Sequence, residues 1–393
     1  MRNISNQQHS NEVLFVKKSK SEQKPSRGYG MLNVVLRIYG IEDSKELPLP
    51  YKIIYHLVVV FMHLMPIYIT SRYILLCIYF KVEVEIACGC IISSVCPLAL
   101  HYSIKSKRSL FKCLINHYRK LEVDPKNTFK SRRTTKINVI LSAIVTMSLV
   151  AATVSTFIMA PQKQFTRSYL YFIHFEENAL LFSIRFFATQ MIYAYLYVFP
   201  CTIAVMSSVI YHEFSELLHR FHESLVRHCT SLNRDKILQH MKIHTVLFRL
   251  AHQLQDAISS TSFFVLCTQM TVMFYTIAIF VLNKNQVIPP ALICRSVLIL
   301  LMAPASVVAV VLCASRISSC CQKIATIIIL LRDRLIMQDF YDVDTLSCLN
   351  SMKAKQFPMM TAWCVAELTP DVMLEMFGSL FSYSLLILNL KKV

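Results

Sequence analysis

The chain has 393 residues, of which 55% are hydrophobic and only 16% are charged, and its mean hydropathy is +0.48. A soluble domain keeps roughly 25% charged residues to solvate its surface, so this composition excludes an ordinary soluble protein and predicts an integral membrane protein. The net charge of +18 does not call for nucleic acid as a partner, because basic loops beside anionic lipid headgroups account for it.

The chain begins with a polar, basic segment and continues through a series of apolar stretches. Residues 1–52 hold no apolar run, so we expect a cytoplasmic tail, with the first span acting as the targeting element. A spanning helix needs about 20 mostly apolar residues. The segments that meet this need lie at about 53–70, 84–103, 138–160, 186–211, 259–282, 290–315 and 370–390. We therefore predict an all-α membrane protein with a seven-transmembrane domain over residues 53–390.

Lysine and arginine residues predict the orientation of these helices. The tail and the connecting segments at 104–137, 212–258 and 316–369 carry 32 of them, whereas the alternate segments carry 8. Basic residues stay on the cytoplasmic side of a membrane. We therefore predict a cytoplasmic N-terminus and an extracellular C-terminus.

The segments 212–258 and 316–369 are predicted to be cytoplasmic anchor segments, formed largely by helical extensions of the spans. In the first of them, apolar residues recur at helical spacing. They are Phe214, Leu217, Leu218, Phe221 and Leu225, followed by Ile243, Leu247, Leu250 and Leu254. We expect these two apolar stripes to pack against each other.

Histidines also recur in segment 212–258, and His240 and His244 stand four residues apart, as the ligands of a helical metal site would. No carboxylate or cysteine stands at a supporting spacing, so we interpret them as solvated histidines and predict no metal site. The sequence holds no Gly-x-Ser-x-Gly motif, and five glycines nearly exclude a glycine-rich phosphate loop. We expect neither enzymatic activity nor a cofactor.

The last predicted span carries a stripe of small and polar residues. Thr369, Pro370 and Asp371 are typical of a helix start. At 100° per residue, one face of the helix collects Asp371, Glu375, Gly378, Ser382, Leu386 and Asn389. Such a face avoids lipid. It either packs against another helix through Gly378 and Ser382 or lines a water-filled pore, and a pore needs several copies of the chain around an axis.

The end of the chain resembles the signature of insect gustatory receptors, which consists of Thr-Tyr, five hydrophobic residues and Gln-Phe. Here Ser382 and Tyr383 are followed by SLLIL and then by Asn389 and Leu390. The tyrosine and the spacing match, whereas Ser, Asn and Leu replace Thr, Gln and Phe. The stretch TAWCVAEL at 361–368 resembles the segment that precedes the last span in that family.

The resemblance implies a gustatory receptor subunit that forms a tetrameric, ligand-gated, non-selective cation channel in the plasma membrane. Its partners would be a small-molecule tastant, the permeant cations, the lipid bilayer and either identical or related receptor subunits. Asn389 and Leu390 stand at the positions of the family's pore-lining Gln and Phe. Leu386, Ser382 and Glu375 of the polar stripe would line the same path, and the cytoplasmic extensions would form a central anchor.

The resemblance also implies a ligand pocket in the outer half of each subunit, where aromatic and polar side chains would stand on apolar walls. The candidates are Gln190, Tyr193, Tyr197, Tyr275 and Arg295. Arg295 lies early in a predicted span, where a charge must find a carboxylate, a ligand anion or water. Alternatively, the tyrosines form an interfacial belt or pack between helices.

Three other classes of membrane protein compete with this interpretation. An insect odorant-type channel shares the architecture. A transporter would show an internal repeat or glycine-broken spans, and neither is visible. A G-protein-coupled receptor would need an extracellular N-terminus and an Asp-Arg-Tyr-like box after the third span, where Met159, Ala160 and Pro161 stand instead.

Overall fold

The structure is a computed structural model that describes residues 49–80, 84–111, 114, 129–159, 179–228, 234–282, 290–337 and 343–390. The described residues are almost entirely helical, which confirms the prediction that the protein is mainly α-helical. The predicted tail up to residue 48 and most of the predicted connecting segments lie outside the described residues.

The helices follow one another along the chain with short connections or gaps between them. They are α1 (Leu49–Phe80), α2 (Val84–Ser106), α3 (Phe129–Met159), α4 (Ala179–Tyr193), α5 (Phe199–His228), α6 (Arg234–Leu282), α7 (Pro290–Met337), α8 (Val343–Ala354) and α9 (Pro370–Leu390). A π-helical turn, Ala194–Val198, joins α4 to α5. Strands β1 (Thr361–Ala362) and β2 (Ala366–Glu367) form an antiparallel hairpin between α8 and α9.

Six of the seven predicted spans correspond to one α-helix each, and the span at 186–211 runs through α4, the π-helical turn and α5. Six stretches of the described chain are long and apolar enough to cross a membrane: Leu49–Tyr79, Cys88–Ser106, Thr135–Ile158, Ala179–Arg227, Arg234–Phe280 and Ile293–Met337. The seventh predicted span corresponds to α9, which has a suitable length of 21 residues but is not one of these six. The helices thus support a multi-pass membrane protein, while the count of seven and the orientation stay predictions.

The first helix continues beyond residue 70 through the apolar stretch YILLCIYF at 73–80, which the sequence left open as an extension of the first span, and Ser71 and Arg72 do not interrupt it. The Ser71 hydroxyl donates a hydrogen bond of 3.1 Å to the backbone carbonyl of Tyr68, one turn earlier. The Arg72 guanidinium carbon lies 5.9 Å from the ring centroid of Tyr73. Both polar side chains are therefore accommodated on α1, and Tyr73 belongs to the helix rather than to a connecting loop.

Helices α6 and α7 are too long to lie within a bilayer. They have 49 and 48 residues, which at 1.5 Å per residue makes each of them about 72 Å long. The hydrocarbon core of a membrane is about 30 Å thick. Each helix is therefore more than twice as long as the hydrocarbon is thick, and the assignment of segments 212–258 and 316–369 as cytoplasmic anchor segments stays a prediction.

The predicted apolar stripes on the extensions of α5 and α6 are largely buried. The buried members are Phe214, Leu218, Phe221, Leu225, Leu247, Leu250 and Leu254, and Leu217 is partly buried. They belong to one continuous hydrophobic core that runs from the predicted membrane region into the extensions.

The apolar stripe of α6 differs from the prediction at its first residue. Ile243 is 40% exposed, whereas the next residue, His244, is 1% exposed and His240 is also buried. The ring centroids of His240 and His244 lie 5.9 Å and 6.1 Å from that of Phe221, and His244 lies 5.0 Å from Phe357. The prediction that His240 and His244 are solvated is therefore wrong, because both imidazoles are buried against aromatic rings. The described residues contain no cluster of side chains suited to a metal ion.

The β-hairpin fixes the chain against α6 just before α9 begins. The Trp363 backbone N–H donates to the Ser259 hydroxyl at 2.7 Å, and the Thr361 N–H donates to the Gln255 side-chain oxygen at 3.1 Å. Trp363 and Cys364, at the hairpin tip, have positive φ angles of 49° and 56°. This left-handed conformation is unfavourable for residues other than glycine, so the attachment to α6 holds a strained turn.

Candidate functional site

Arg295, near the start of α7, is surrounded by tyrosines from three other segments. Its Nε donates a hydrogen bond to the Tyr197 hydroxyl at 2.5 Å, and its Nη1 donates to the Tyr73 hydroxyl at 3.4 Å. Its guanidinium carbon lies 5.7 Å from the ring centroid of Tyr197 and 5.3 Å from that of Tyr275. Both distances allow cation–π attraction. One cation thus holds α1, α6 and the π-helical turn together.

The tyrosines around Arg295 also bind each other. The hydroxyl oxygens of Tyr73 and Tyr275 lie 3.0 Å apart, and their rings are nearly perpendicular at 82°. Cys90 of α2 is buried against Tyr73 and Tyr275. We refer to Tyr73, Cys90, Tyr197, Tyr275 and Arg295 as the tyrosine–arginine cluster.

The π-helical turn orients the tyrosines that approach this cluster from α4. Such turns insert an extra residue into a helix and often occur at functional sites. The rings of Tyr193 and Tyr197 meet edge to face, with centroids 5.2 Å apart and planes at 76°. Tyr195 points elsewhere, because its hydroxyl donates to the Ser94 carbonyl at 2.6 Å. All three tyrosines are buried.

Polar contacts extend the site from α4 to α3. The hydroxyl oxygens of Tyr193 and Ser155 lie 2.8 Å apart. The Gln190 side-chain nitrogen donates to the Thr153 hydroxyl at 3.0 Å. The side-chain oxygen of Gln190 is buried and has no hydrogen-bond partner among the described residues. An unsatisfied buried acceptor is costly, and a ligand that donates a hydrogen bond would satisfy it.

The structure brings the predicted ligand-binding residues together to different degrees. Tyr197, Tyr275 and Arg295 are in direct contact. Tyr193 joins them through its ring contact with Tyr197, and Gln190 stands about one turn earlier on α4. Their role in binding a ligand stays a prediction.

Two members of the cluster were not predicted from the sequence. Tyr73 lies beyond the expected end of the first span, and the signal for it was the apolar run that continues to Phe80. Cys90 stands in an apolar segment with nothing to distinguish it from a core residue. Among the described residues Arg295 pairs with phenol hydroxyls, although the sequence had suggested a carboxylate, a ligand anion or water.

The predicted polar face of α9 points away from the rest of its own subunit. Met373, Met376, Phe377 and Leu380 form the packed face of this helix and contact the hydrophobic core. The opposite face, at 100° per residue, holds the exposed residues Asp371, Glu375, Gly378, Ser382, Leu386 and Asn389.

The surroundings of Gly378 show that this polar face lacks a neighbour within the described part of one subunit. A Cβ atom added at Gly378 would meet no atom within 4 Å, and Ser382 is exposed. The sequence allowed a second helix to pack against Gly378 and Ser382. The described residues of the same chain do not make this contact. The side chain of Leu390 lies outside the described residues.

No protein-family model matches the sequence, and the comparison with curated proteins gives no match. Among solved structures, the chain is similar to an insect olfactory receptor from Machilis hrabei in complex with eugenol. The identity is 13%, the TM-score is 0.65, and the match covers 92% of this chain and 97% of that chain. The chain therefore shares the fold of that receptor.

Proposed function

We propose that this chain is a gustatory receptor subunit that forms a ligand-gated, non-selective cation channel in the plasma membrane. Four subunits, identical or related, assemble around one pore, which a small-molecule tastant opens. The observation that carries the proposal is the exposed polar face of α9, which lies opposite the face that packs on its own subunit.

A shared pore would surround this polar face with water, whereas lipid would not hydrate it. Asp371 and Glu375 are both exposed, and an acidic side chain that faced lipid would lose its hydration without gaining a partner. Four copies around an axis would turn each stripe towards a common aqueous path. The two acids stand in the first turns of α9, where they would attract cations. Leu386 and Asn389 would line the path near the other end.

The tyrosine–arginine cluster supports the ligand-gated part of the proposal. Ligand sites combine aromatic and apolar walls with a few polar groups that fix orientation, and this cluster has that composition. The structurally similar olfactory receptor was determined in complex with eugenol, a small molecule. By analogy, a small molecule would occupy the region around Arg295, Tyr197 and Tyr275.

An olfactory receptor-type channel is the second candidate function. It is favoured by the similarity in fold to an insect olfactory receptor. The gustatory assignment rests instead on Ser382, Tyr383, Asn389 and Leu390 at the end of the sequence. Responses to non-volatile tastants, compared with responses to volatile compounds, separate the two candidates.

Cysteine accessibility tests the proposed pore. The chain is expressed in cultured cells, and currents are recorded during application of sugars, bitter compounds and volatile compounds. Ser382→Cys places a thiol on the exposed polar face, while Leu380→Cys places one on the packed face, where Leu380 is 5% exposed. We expect a cationic methanethiosulfonate reagent to block most of the current of Ser382→Cys. The current of Leu380→Cys and of the unsubstituted chain should not change.

Two results would contradict the proposal. The first is equal sensitivity of the Ser382→Cys and Leu380→Cys currents, because the reagent would then not distinguish a pore-facing position from a packed one. The second is a monomeric mass for the purified protein in native mass spectrometry, because one α9 helix cannot enclose a pore.

A further inference from the structure

We propose that the ligand of the tyrosine–arginine cluster carries a carboxylate, which binds the guanidinium of Arg295. The inference rests on the proposed function in one respect, namely that the cluster holds the ligand that opens the channel. It adds the chemical class of that ligand, which is a small carboxylate with one apolar or aromatic body.

Arg295 brings a positive charge into a predicted span, and the described groups in direct contact with it are neutral; the nearest other charge, on Arg72 beside Tyr73, is also positive. Its neighbours are the phenols of Tyr73, Tyr197 and Tyr275 and the thiol of Cys90, all groups that are uncharged in their ordinary state at neutral pH. The ion pairs of the described residues involve other side chains. A charge at this depth needs an anion or water beside it. The described part of the chain does not supply the anion.

The cluster also holds more hydrogen-bond donors than acceptors. A guanidinium has five N–H groups, and Arg295 uses two of them in hydrogen bonds to Tyr197 and Tyr73. The Tyr197 oxygen accepts one of these bonds, so its own hydrogen remains available for an acceptor. The described residues accept no other hydrogen bond from the Arg295 guanidinium, so its remaining N–H groups can bind an acceptor that a ligand brings.

The Tyr73–Tyr275 pair adds a further donor. The two hydroxyls share a hydrogen bond of 3.0 Å, and both also form side-chain hydrogen bonds with Cys90, so the hydrogen that they do not share is directed at the Cys90 sulfur. The sulfur of Cys90 beside them is only a weak acceptor. A carboxylate brings two acceptor oxygens and a negative charge, and it pairs with a guanidinium through two parallel hydrogen bonds. It therefore complements both the charge and the donors of the site.

The walls of the cluster favour an apolar or aromatic body for the ligand. Tyr193 and Tyr197 meet edge to face at 5.2 Å, and Tyr73 and Tyr275 do so at 6.5 Å. Aromatic surfaces of this kind bind a flat or apolar group well. A ligand with a second charge or with many hydroxyl groups would lose hydration against these rings without gaining partners.

Binding to the unsubstituted protein provides the first test. The purified full-length chain is placed in lipid nanodiscs, and isothermal titration calorimetry measures its affinity for benzoate, phenylacetate and 3-phenylpropanoate. Each acid is paired with its own methyl ester, which keeps the body and removes the charge. We expect at least one acid to bind about tenfold or more tightly than its ester. If no acid binds more tightly than its ester, the inference is overturned.

Substitution of the arginine provides the second test. Arg295→Gln keeps a hydrogen-bonding side chain and removes the charge, so affinity for the acid should fall about 10- to 100-fold while that for the ester changes little. Arg295→Lys keeps the charge and should keep the preference for the acid, which covers the case in which Arg295→Gln does not fold. Equal losses for acid and ester in Arg295→Gln would assign the residue a structural role and overturn the inference.

Arg185→Gln is the matched control, because it makes the same chemical change at a buried arginine of α4, in the helical run that continues through the π-helical turn to Tyr197. Arg185 stands about 18 Å before Tyr197 along that run, at 1.5 Å per residue. The ratio of acid to ester affinity should therefore be unchanged in Arg185→Gln. A reduced ratio in this control would show that any loss of charge lowers acid binding, and it would contradict a specific role for Arg295.

Current recordings distinguish this inference from the proposed function. Binding that prefers the acid, without any current, would support the carboxylate site and refute the ligand-gated channel. Currents evoked only by neutral compounds, together with no preference for the acid in binding, would support the channel and refute the carboxylate site.

Discussion

The rings of Phe274 on α6 and Tyr383 on α9 meet edge to face, with centroids 5.0 Å apart and planes at 85°. Phe274 is followed directly by Tyr275, which belongs to the tyrosine–arginine cluster. Consecutive residues of a helix point about 100° apart, so α6 contacts the candidate ligand site on one side and the candidate pore helix on the other. A small shift of α6 would therefore act on both.

We expect this aromatic pair to couple ligand binding to channel opening. Edge-to-face aromatic pairs contribute about 0.5–1.5 kcal/mol beyond their buried area. In a double-mutant cycle with Phe274→Leu and Tyr383→Leu, the half-maximal ligand concentrations should give an interaction energy of about 1 kcal/mol. Tyr383→Phe keeps the ring and serves as the control, which should respond as the unsubstituted chain does. Additive effects of the two leucine substitutions would show that the contact plays no part in opening.

Much of the fold was predictable because each span is a continuous apolar run, and such runs become helices in lipid. The ends of the helices were less predictable where a helix continues beyond its apolar run, because charged residues there do not mark the end of the helix. Helix α7 continues past Arg316 and Lys323 to Met337, since an extension outside the membrane tolerates charges on its solvated side. The two-residue strands of the hairpin are too short to leave a periodic pattern.

The candidate site was predictable in residue type but not in its partners. Aromatic side chains and one arginine in apolar segments pointed to Tyr197, Tyr275 and Arg295. Tyr73 reaches Arg295 from a position 222 residues earlier in the chain, and no local pattern encodes such a distant contact. His244 was assigned to the wrong environment because an imidazole is compatible with both a solvated face and an aromatic core.

The strained hairpin tip should be stabilised by Cys364→Gly. Cys364 is exposed and has a φ of 56°, so the substitution relieves left-handed strain of roughly 1–2 kcal/mol without loss of buried contacts. Part of this gain is offset by the greater chain entropy of glycine in the unfolded state. We expect a net gain of about 1 kcal/mol, seen as a higher apparent unfolding temperature of the purified protein. Val365→Gly, where φ is not positive, is the control and should be destabilising, and a lower unfolding temperature for Cys364→Gly would argue against strain at the tip.

His244 should make the part of α6 around it sensitive to acid. Burial, with a further contribution from the nearby Lys355 ammonium, lowers the pKa of His244 to about 4 from its ordinary value of 6.5. The unfolded chain therefore takes up a proton below pH 6.5 that the folded chain does not, so folding stability is full above this pH and declines as the pH falls towards 4. At pH 5 the loss is about 2 kcal/mol.

The apparent unfolding temperature of the purified protein, measured between pH 7.5 and pH 5, checks this prediction. It should fall less steeply with pH in His244→Gln than in the unsubstituted chain, because glutamine does not titrate. His219→Gln is the control, since the His219 side chain is 52% exposed beside Glu223. Its slope should match that of the unsubstituted chain. The same slope in all three proteins would mean that His244 does not set the acid sensitivity.

Glu375 should raise the conductance of the proposed pore through its negative charge. It is exposed on the polar face of α9, near the end where the helix begins, and four copies would form a ring of acids that concentrates cations. In single-channel recordings at low ionic strength, Glu375→Gln should lower the conductance by about twofold, and the difference should shrink near 1 M salt, where the screening length falls to about 3 Å. Glu367→Gln removes an exposed acid from the hairpin instead and should have a smaller effect. A conductance that is unchanged in Glu375→Gln at every salt concentration would place this face of α9 away from the ion path.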